Sequence, residues 1–162
     1  MKTAVVYYSM SGNCEYTAKK ITAASDADLI RLDPEKEFPN SGFRKFFWGG
    51  KSAIMGEMPK LKPYAFEAEE YDRIIFGFPV WAGNPAPPIR TFIHENAEGI
   101  RGKKFAAFVC YSGGGADKAL AKLKKQLSVE TLDAELILID PQDKPDPKND
   151  EAITAFREKL FI

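Results

Sequence analysis

The sequence predicts an α/β fold, a doubly wound, five-stranded parallel sheet with helices on both faces. Three observations carry that reading. Five short apolar runs recur along the chain, segments with helical spacing separate them, and several of the runs end in loops rich in Gly, Ser or Pro.

The elements follow in order. Thr3-Ala-Val-Val-Tyr-Tyr8 is β-branched and aromatic and stops at Ser9, which predicts a strand opening into a turn. Ala27 to Leu32 is a weaker second strand, Arg73 to Gly77 and Phe105 to Cys110 are continuous, and Ala134 to Ile139 closes the series. Continuous rather than alternating apolar runs suit strands covered on both faces, as in parallel sheets. Between them, Ala18 and Ile21 mark a first helix, and Ile89, Phe92 and Ile93 a second. Leu120, Leu123 and Leu127 mark a third, and Ile153, Phe156 and Leu160 a C-terminal one. Strand and helix alternate in this way along the chain, which implies βαβ units with right-handed crossovers. The strand order 2-1-3-4-5 is assigned by analogy with known doubly wound sheets. Asp33 to Tyr71 breaks the rhythm, and its middle, Phe43 to Met55, is expected to hold a helix or an ordered excursion.

Size and composition bound the function. The 162 residues fit one domain, expected to span 1–162, and 44% hydrophobic with 28% charged residues describes an ordinary soluble globular chain. Lys plus Arg and Asp plus Glu both total 23, so no global field favours nucleic acid or an anionic membrane. No apolar run approaches the ~20 residues needed to cross a bilayer. With two cysteines and no secretory pattern at the N-terminus, a cytoplasmic location is the expectation.

In open α/β sheets ligands sit beyond the carboxyl ends of the strands, where the strand order reverses, so the loops after the first, third and fourth strands are the candidates. The first is Ser9, Met10, Ser11, Gly12, Asn13 and Cys14, followed by a helix. Its hydroxyls, its glycine and the free N–H groups of a helix start form a cradle for a phosphate, or else an ordinary N-cap. G-x-G-x-x-G is absent, which favours a monophosphate over a pyrophosphate cofactor. The second loop holds Pro79, Val80, Trp81, Ala82, Gly83 and Asn84. Trp81 there either stacks on a planar ring or packs on neighbouring loops. The third holds Tyr111, Ser112, Gly113 and Gly114, glycines that let a backbone run along a ligand or simply make a flexible turn.

The combination resembles the flavodoxin family, in particular short bacterial members with a Pro-x-Trp-x-Gly loop and a Pro-rich helix start, over nearly the whole chain. Ser9 to Cys14 is similar to their phosphate loop, Pro79 to Asn84 to their first flavin-flanking loop, and Tyr111 to Gly114 to their second. Flavodoxins are a standard illustration of the strand-reversal rule, so rule and resemblance are not independent. The resemblance implies flavin mononucleotide (FMN), with its phosphate at Ser9 to Cys14 and its ring between the other two loops. It further implies a carrier of single electrons between redox partner proteins, a reductase and an acceptor, acting as a monomer or weak dimer. No catalytic side chain is then required, because the flavin does the redox chemistry. The Gly83–Asn84 peptide is the candidate to turn its carbonyl toward the flavin N5, since glycine makes such a flip cheap. An FMN-dependent NAD(P)H:quinone oxidoreductase of the same fold is the alternative. Two departures stand out: Cys14 replaces the usual Thr, and the chain is neutral where long-studied flavodoxins are acidic.

Other features carry less. Gly49-Gly-Lys-Ser52 ends like a nucleotide phosphate loop but lacks its first glycine and a preceding strand. His94 is the sole histidine, and Cys14 and Cys110 form neither a zinc spacing nor a C-x-x-C pair. Arg44, Lys45, Lys51, Lys60 and Lys62, interleaved with Phe46, Phe47 and Trp48, make either a basic docking surface for an acidic partner or a solvated helix face.

Overall fold

The computed structural model describes residues 1–38, 51 and 55–162. Five parallel strands form the body of the sheet: β1 (Thr3–Tyr7), β2 (Asp28–Arg31), β3 (Arg73–Trp81), β5 (Lys104–Tyr111) and β6 (Glu135–Ile139). A two-residue strand, β4 (Asn84–Pro85), pairs antiparallel with the end of β3. The order β2-β1-β3-β5-β6 is the expected 2-1-3-4-5 with β4 set aside as an extra strand. The α-helices with both ends among the described residues are α1 (Asn13–Thr22), α2 (Pro87–Glu95), the short α3 (Ala97–Ile100), α4 (Ala116–Leu127) and α5 (Pro147–Phe161). Each of the four longer ones carries the apolar stripe read from the sequence.

Those stripes explain the layering. Ala18 and Ile21 of α1 and Ile153, Phe156 and Leu160 of α5 cover one face of the sheet, meeting Val5, Ile75 and Phe108. Ile89 and Phe92 of α2 and Leu120 and Leu123 of α4 cover the other, meeting Val6, Ile74 and Phe76. Residues of opposite parity on each central strand serve opposite cores, which is why β1, β3 and β5 read as continuous apolar runs. Each fully buried Phe or Ile contributes about 1.5–3 kcal/mol of transfer free energy. The edge strand β6 departs from that pattern. Leu136 and Leu138 are buried whereas Ile137 and Ile139 are 38% and 49% exposed, because no helix covers the outer part of that face.

Two further contacts fix β3 in place. Gly77 pairs with Phe108 in the β3–β5 register, and a Cβ on Gly77 would overlap the Phe108 ring. Buried Arg73 donates from Nη1 to the Leu160 carbonyl at 2.6 Å and from Nη2 to Asp133 Oδ2 at 3.2 Å, fastening α5 to the start of β3. Among the described residues no helix is long and apolar enough to cross a membrane.

Candidate functional site

The carboxyl ends of β1, β3 and β5 lie side by side, and the loops that leave them enclose one cleft. After β1 the chain reaches α1 through Gly12, whose φ of +99° is in the left-handed region and which caps no helix N–H with a side chain. A Cβ at that position would also overlap Gln142 Oε1. The left-handed conformation is what calls for glycine, since the Gln142 side-chain end can move aside from a Cβ. Ser9 Oγ accepts the Glu15 N–H at 3.2 Å and Ser11 Oγ accepts from Asn13 Nδ2 at 3.4 Å. Accepting leaves each hydroxyl its own proton to donate.

Asn13 is the bolt of this loop. Its Oδ1 accepts the Gln142 N–H at 2.8 Å and the Asp143 N–H at 3.4 Å, and its Nδ2 donates to Asp143 Oδ2 at 3.1 Å. The side chain is thus spent on holding the chain beyond β6 against the first loop. On the other flank Arg31 Nη2 donates to the Ser9 carbonyl at 3.1 Å and Nη1 meets Glu15 Oε2 at 3.1 Å. Hydrogen bonding from Lys19, with the nearby Arg31 charge, holds the Glu15 carboxyl below its ordinary range.

The second segment is a hairpin rather than a plain loop. On sequence alone this strand ends at Gly77. In the structure Pro79 is the last residue paired with β5, and β3 continues to Trp81 by taking β4 as its new partner, with Trp81 opposite Asn84. Ala82 and Gly83 form the two-residue turn with φ of +50° and +72°. Positive φ at both central positions is the type I′ signature, whose twist matches that of paired strands. Asn84 Nδ2 donates to the Ala82 carbonyl at 2.9 Å, while Asn84 Oδ1 accepts from Lys122 Nζ of α4 at 2.6 Å. A Cβ on Gly115 would come within 3.0 Å of Gly83 Cα, so the turn rests directly on the start of α4.

Trp81 is half-buried and propped from behind by ring edges, Tyr8 at 5.7 Å and Phe38 at 5.1 Å between centroids. Burial pushes the Tyr8 phenol well up, so this ring stays neutral. In the third loop Ser112 Oγ donates to Asp140 Oδ1 at 2.8 Å, and Lys144 Nζ pairs with Asp140 Oδ2 at 3.3 Å. Gly114 and Gly115 carry φ of +123° and +85°, and Gly115 starts α4 without a capping side chain.

The enclosed volume is about 250 Å³. Ser9, Met10, Ser11, Asn13 and Cys14 line it from the first loop, and Pro79, Val80, Trp81 and Ala82 from the hairpin. Tyr111, Ser112, Gly113 and Gly114 line it from the third loop. Gly12, Gly83 and Asn84 are not in the lining and act from behind it. Cys110 and Asp140 also line the cleft, and sequence reasoning does not single them out as site residues. For Asp140 a signal exists, a polar residue directly after the last apolar run, at the end of a strand. Arg44, Lys45, Phe46, Phe47 and Trp48 lie outside the described residues, as does the expected helix or ordered excursion at 43–55 apart from Lys51 and Met55. Of the remaining basic residues there, Lys60 Nζ stands 3.7 Å from Glu35 Oε1.

An open parallel sheet with its cleft at the strand-order reversal and the start of a helix in the cleft wall defines a doubly wound α/β protein. A family model described as Flavodoxin matches residues 2–144, and the chain belongs to the flavodoxin family. Its structure is similar to a flavoprotein from Lactobacillus acidophilus NCFM solved in complex with FMN, with TM-score 0.72 and 24% identity over 88% of this chain and 95% of that one. A flavoprotein candidate from Bacteroides eggerthii DSM 20697 gives TM-score 0.75 and 21% identity, covering 99% of this chain and 98% of that one. The two-electron reduced flavodoxin of Megasphaera elsdenii gives TM-score 0.58 and 19% identity, covering 96% and 98%.

Proposed function

We propose that this chain binds FMN non-covalently in the cleft and carries single electrons between a reductase and an acceptor protein. The observation that carries the reading is the union, in one cleft, of an anion-binding helix start with two hydroxyl donors and an aromatic wall propped from behind. The donor set fits a phosphate. The N–H groups of Asn13 and Cys14 at the start of α1 and the protons of Ser9 and Ser11 are the donors this loop offers, the Glu15 N–H being taken by Ser9 Oγ. Cys14 adds at most a weak donor. The similar flavoprotein from Lactobacillus acidophilus, solved with FMN bound, supports the choice of cofactor.

FMN held there supplies reversible one- and two-electron chemistry. The chain's own part is anchoring, shielding and hydrogen bonding. Trp81 and Tyr111 offer the aromatic surface for a planar ring, and Met10 and Val80 exclude water beside them. Asp140, oriented by Ser112 and Lys144, is an acceptor suited to a hydroxyl or ring N–H. Asn84 holds the Ala82 carbonyl, so the Gly83–Asn84 peptide, with glycine's freedom, is the unit left to turn its carbonyl toward a protonated flavin nitrogen.

Reductive titration of the FMN-loaded protein tests the carrier against the quinone reductase. A carrier gives two separately resolved one-electron steps and is reduced poorly by NAD(P)H alone. Rapid NADPH oxidation with a quinone acceptor, and a single two-electron step, would support the oxidoreductase instead.

A further inference from the structure

Lys118 and Lys122 stand one turn apart on α4, and both touch the Trp81 hairpin. Lys122 Nζ donates to Asn84 Oδ1 at 2.6 Å, which fixes its ammonium at the base of the hairpin. Lys118 lays its stem across the turn, where a Cβ built on Gly83 would stand 3.0 Å from Lys118 Cδ and 3.6 Å from Lys118 Cβ. The Lys118 ammonium follows two bonds beyond that Cδ. Residues four apart share one helix face, which is why both lysines reach the same hairpin.

Little around them offsets these charges. α4 holds four lysines and a single acid, Asp117, which stands in the first turn at the positive end of the helix dipole. Lys124 Nζ is paired with Glu135 Oε1 at 2.7 Å, whereas Lys118 and Lys122 form no ion pair among the described residues. From Gly77 to Ile89 and from Tyr111 to Ala116 no side chain is charged, so neither the hairpin nor the third loop opposes them. Asp140 is the one Asp, Glu, Lys or Arg in the cleft lining, and Lys144 Nζ answers it at 3.3 Å.

We propose that Lys118 and Lys122 are tuning residues, a cationic flank on the hairpin side of the cleft that stabilises the negative charge a bound flavin ring gains on reduction. This rests on the FMN reading. An electron that reaches the ring without a matching proton leaves one more negative charge in the cleft. A cation held nearby lowers the free energy of that state, and because both states carry the same phosphate charge, the difference falls on the ring. By linkage, the factor by which the flank favours reduction is the factor by which it tightens binding of the reduced cofactor over the oxidised one. Lys118 is exposed and acts through solvent, so its share is a few-fold. Lys122 is half-buried and less screened.

The test is a dithionite titration of the full chain loaded with FMN, read against an indicator dye at a pH where the potential of the last electron no longer changes with pH. Lys118→Met keeps the stem and removes the charge. It should lower the equilibrium constant for that electron about threefold, or roughly 30 mV at about 59 mV per tenfold for one electron. Lys118→Glu should double the shift, Lys118→Arg should abolish it, and raising the salt to about 0.5 M should shrink it. Lys122→Met, read at saturating FMN, should shift the potential at least as far as Lys118→Met. A merely structural role would move oxidised FMN affinity and the melting temperature while leaving the potential in place. Equal potentials at low salt in the unaltered chain, Lys118→Met and Lys118→Glu would overturn the proposal and leave the FMN reading intact. Failure of the unaltered chain to bind FMN would overturn both.

Discussion

Lys122 Nζ, on α4, donates to Asn84 Oδ1 at 2.6 Å and thereby fastens the Trp81 hairpin to a helix that follows it in sequence only after α2, α3 and β5. Asn84 passes that anchorage on, since its other amide end holds the Ala82 carbonyl of the turn. The hairpin is thus held at its base through Asn84 and rests at Gly83 on the start of α4. Lys122→Met should weaken FMN binding by about tenfold, and Asn84→Ala by a similar factor. The double variant should lose little more than either one, with a coupling of about 1 kcal/mol. Fluorescence titration with FMN checks the cycle, and strictly additive losses would show that the two residues act apart.

Trp81 is supported edge-on by Tyr8 and Phe38 while it lines the cleft. Its fluorescence should be quenched on adding FMN, and Trp81→Ala should cost roughly tenfold in affinity, the value of an aromatic contact together with lost apolar enclosure. Trp81→Phe should recover most of it. Unaltered affinity in the alanine variant would remove Trp81 from the site.

Gly12→Ala places a Cβ against Gln142 Oε1 at a φ of +99°, a conformation that costs an L-residue about 1–2 kcal/mol. Thermal melts should show a modest loss of stability and FMN titration a larger loss of affinity. Gly12→Asp should be worse for FMN, since it adds an anion beside the phosphate cradle. Ser11→Ala should weaken binding with little effect on stability. Equal FMN affinity in all three would mean that the cradle holds no phosphate.

Gly77 is a core prediction separable from the cofactor. A Cβ there overlaps the Phe108 ring across the β3–β5 register, so Gly77→Ala should destabilise by about 1–3 kcal/mol through overpacking. Urea unfolding of the flavin-free protein reads this directly. An unchanged midpoint would show that the ring moves aside at no cost.

The central strands are legible in the sequence because burial on two faces writes itself as continuous apolar residues, as in Ile74 to Phe78. The helices are legible from their stripes. The end of β3 is not, because its last residues past the apolar run Ile74 to Phe78 stay paired, Pro79 with β5 and then Val80 and Trp81 with the two-residue β4. Within the cleft, the Gly and Ser spacing exposes the first and third loops. Asn13, by contrast, reads as a ligand-binding amide, yet it is bonded at both ends to Gln142 and Asp143. That contact joins residues from opposite parts of the chain. One sequence holds no record of such pairs, whereas local spacing is recorded in every turn of helix and every residue of strand.

The measurement that tests the account most directly is a titration of the purified, flavin-free chain with FMN, followed by flavin absorbance and by flavin and tryptophan fluorescence. Binding in the cleft predicts saturation at about one equivalent, a perturbed flavin absorption band, and quenching of the flavin and of Trp81 together. Absorbance and fluorescence indistinguishable from free FMN at saturating concentration would contradict it.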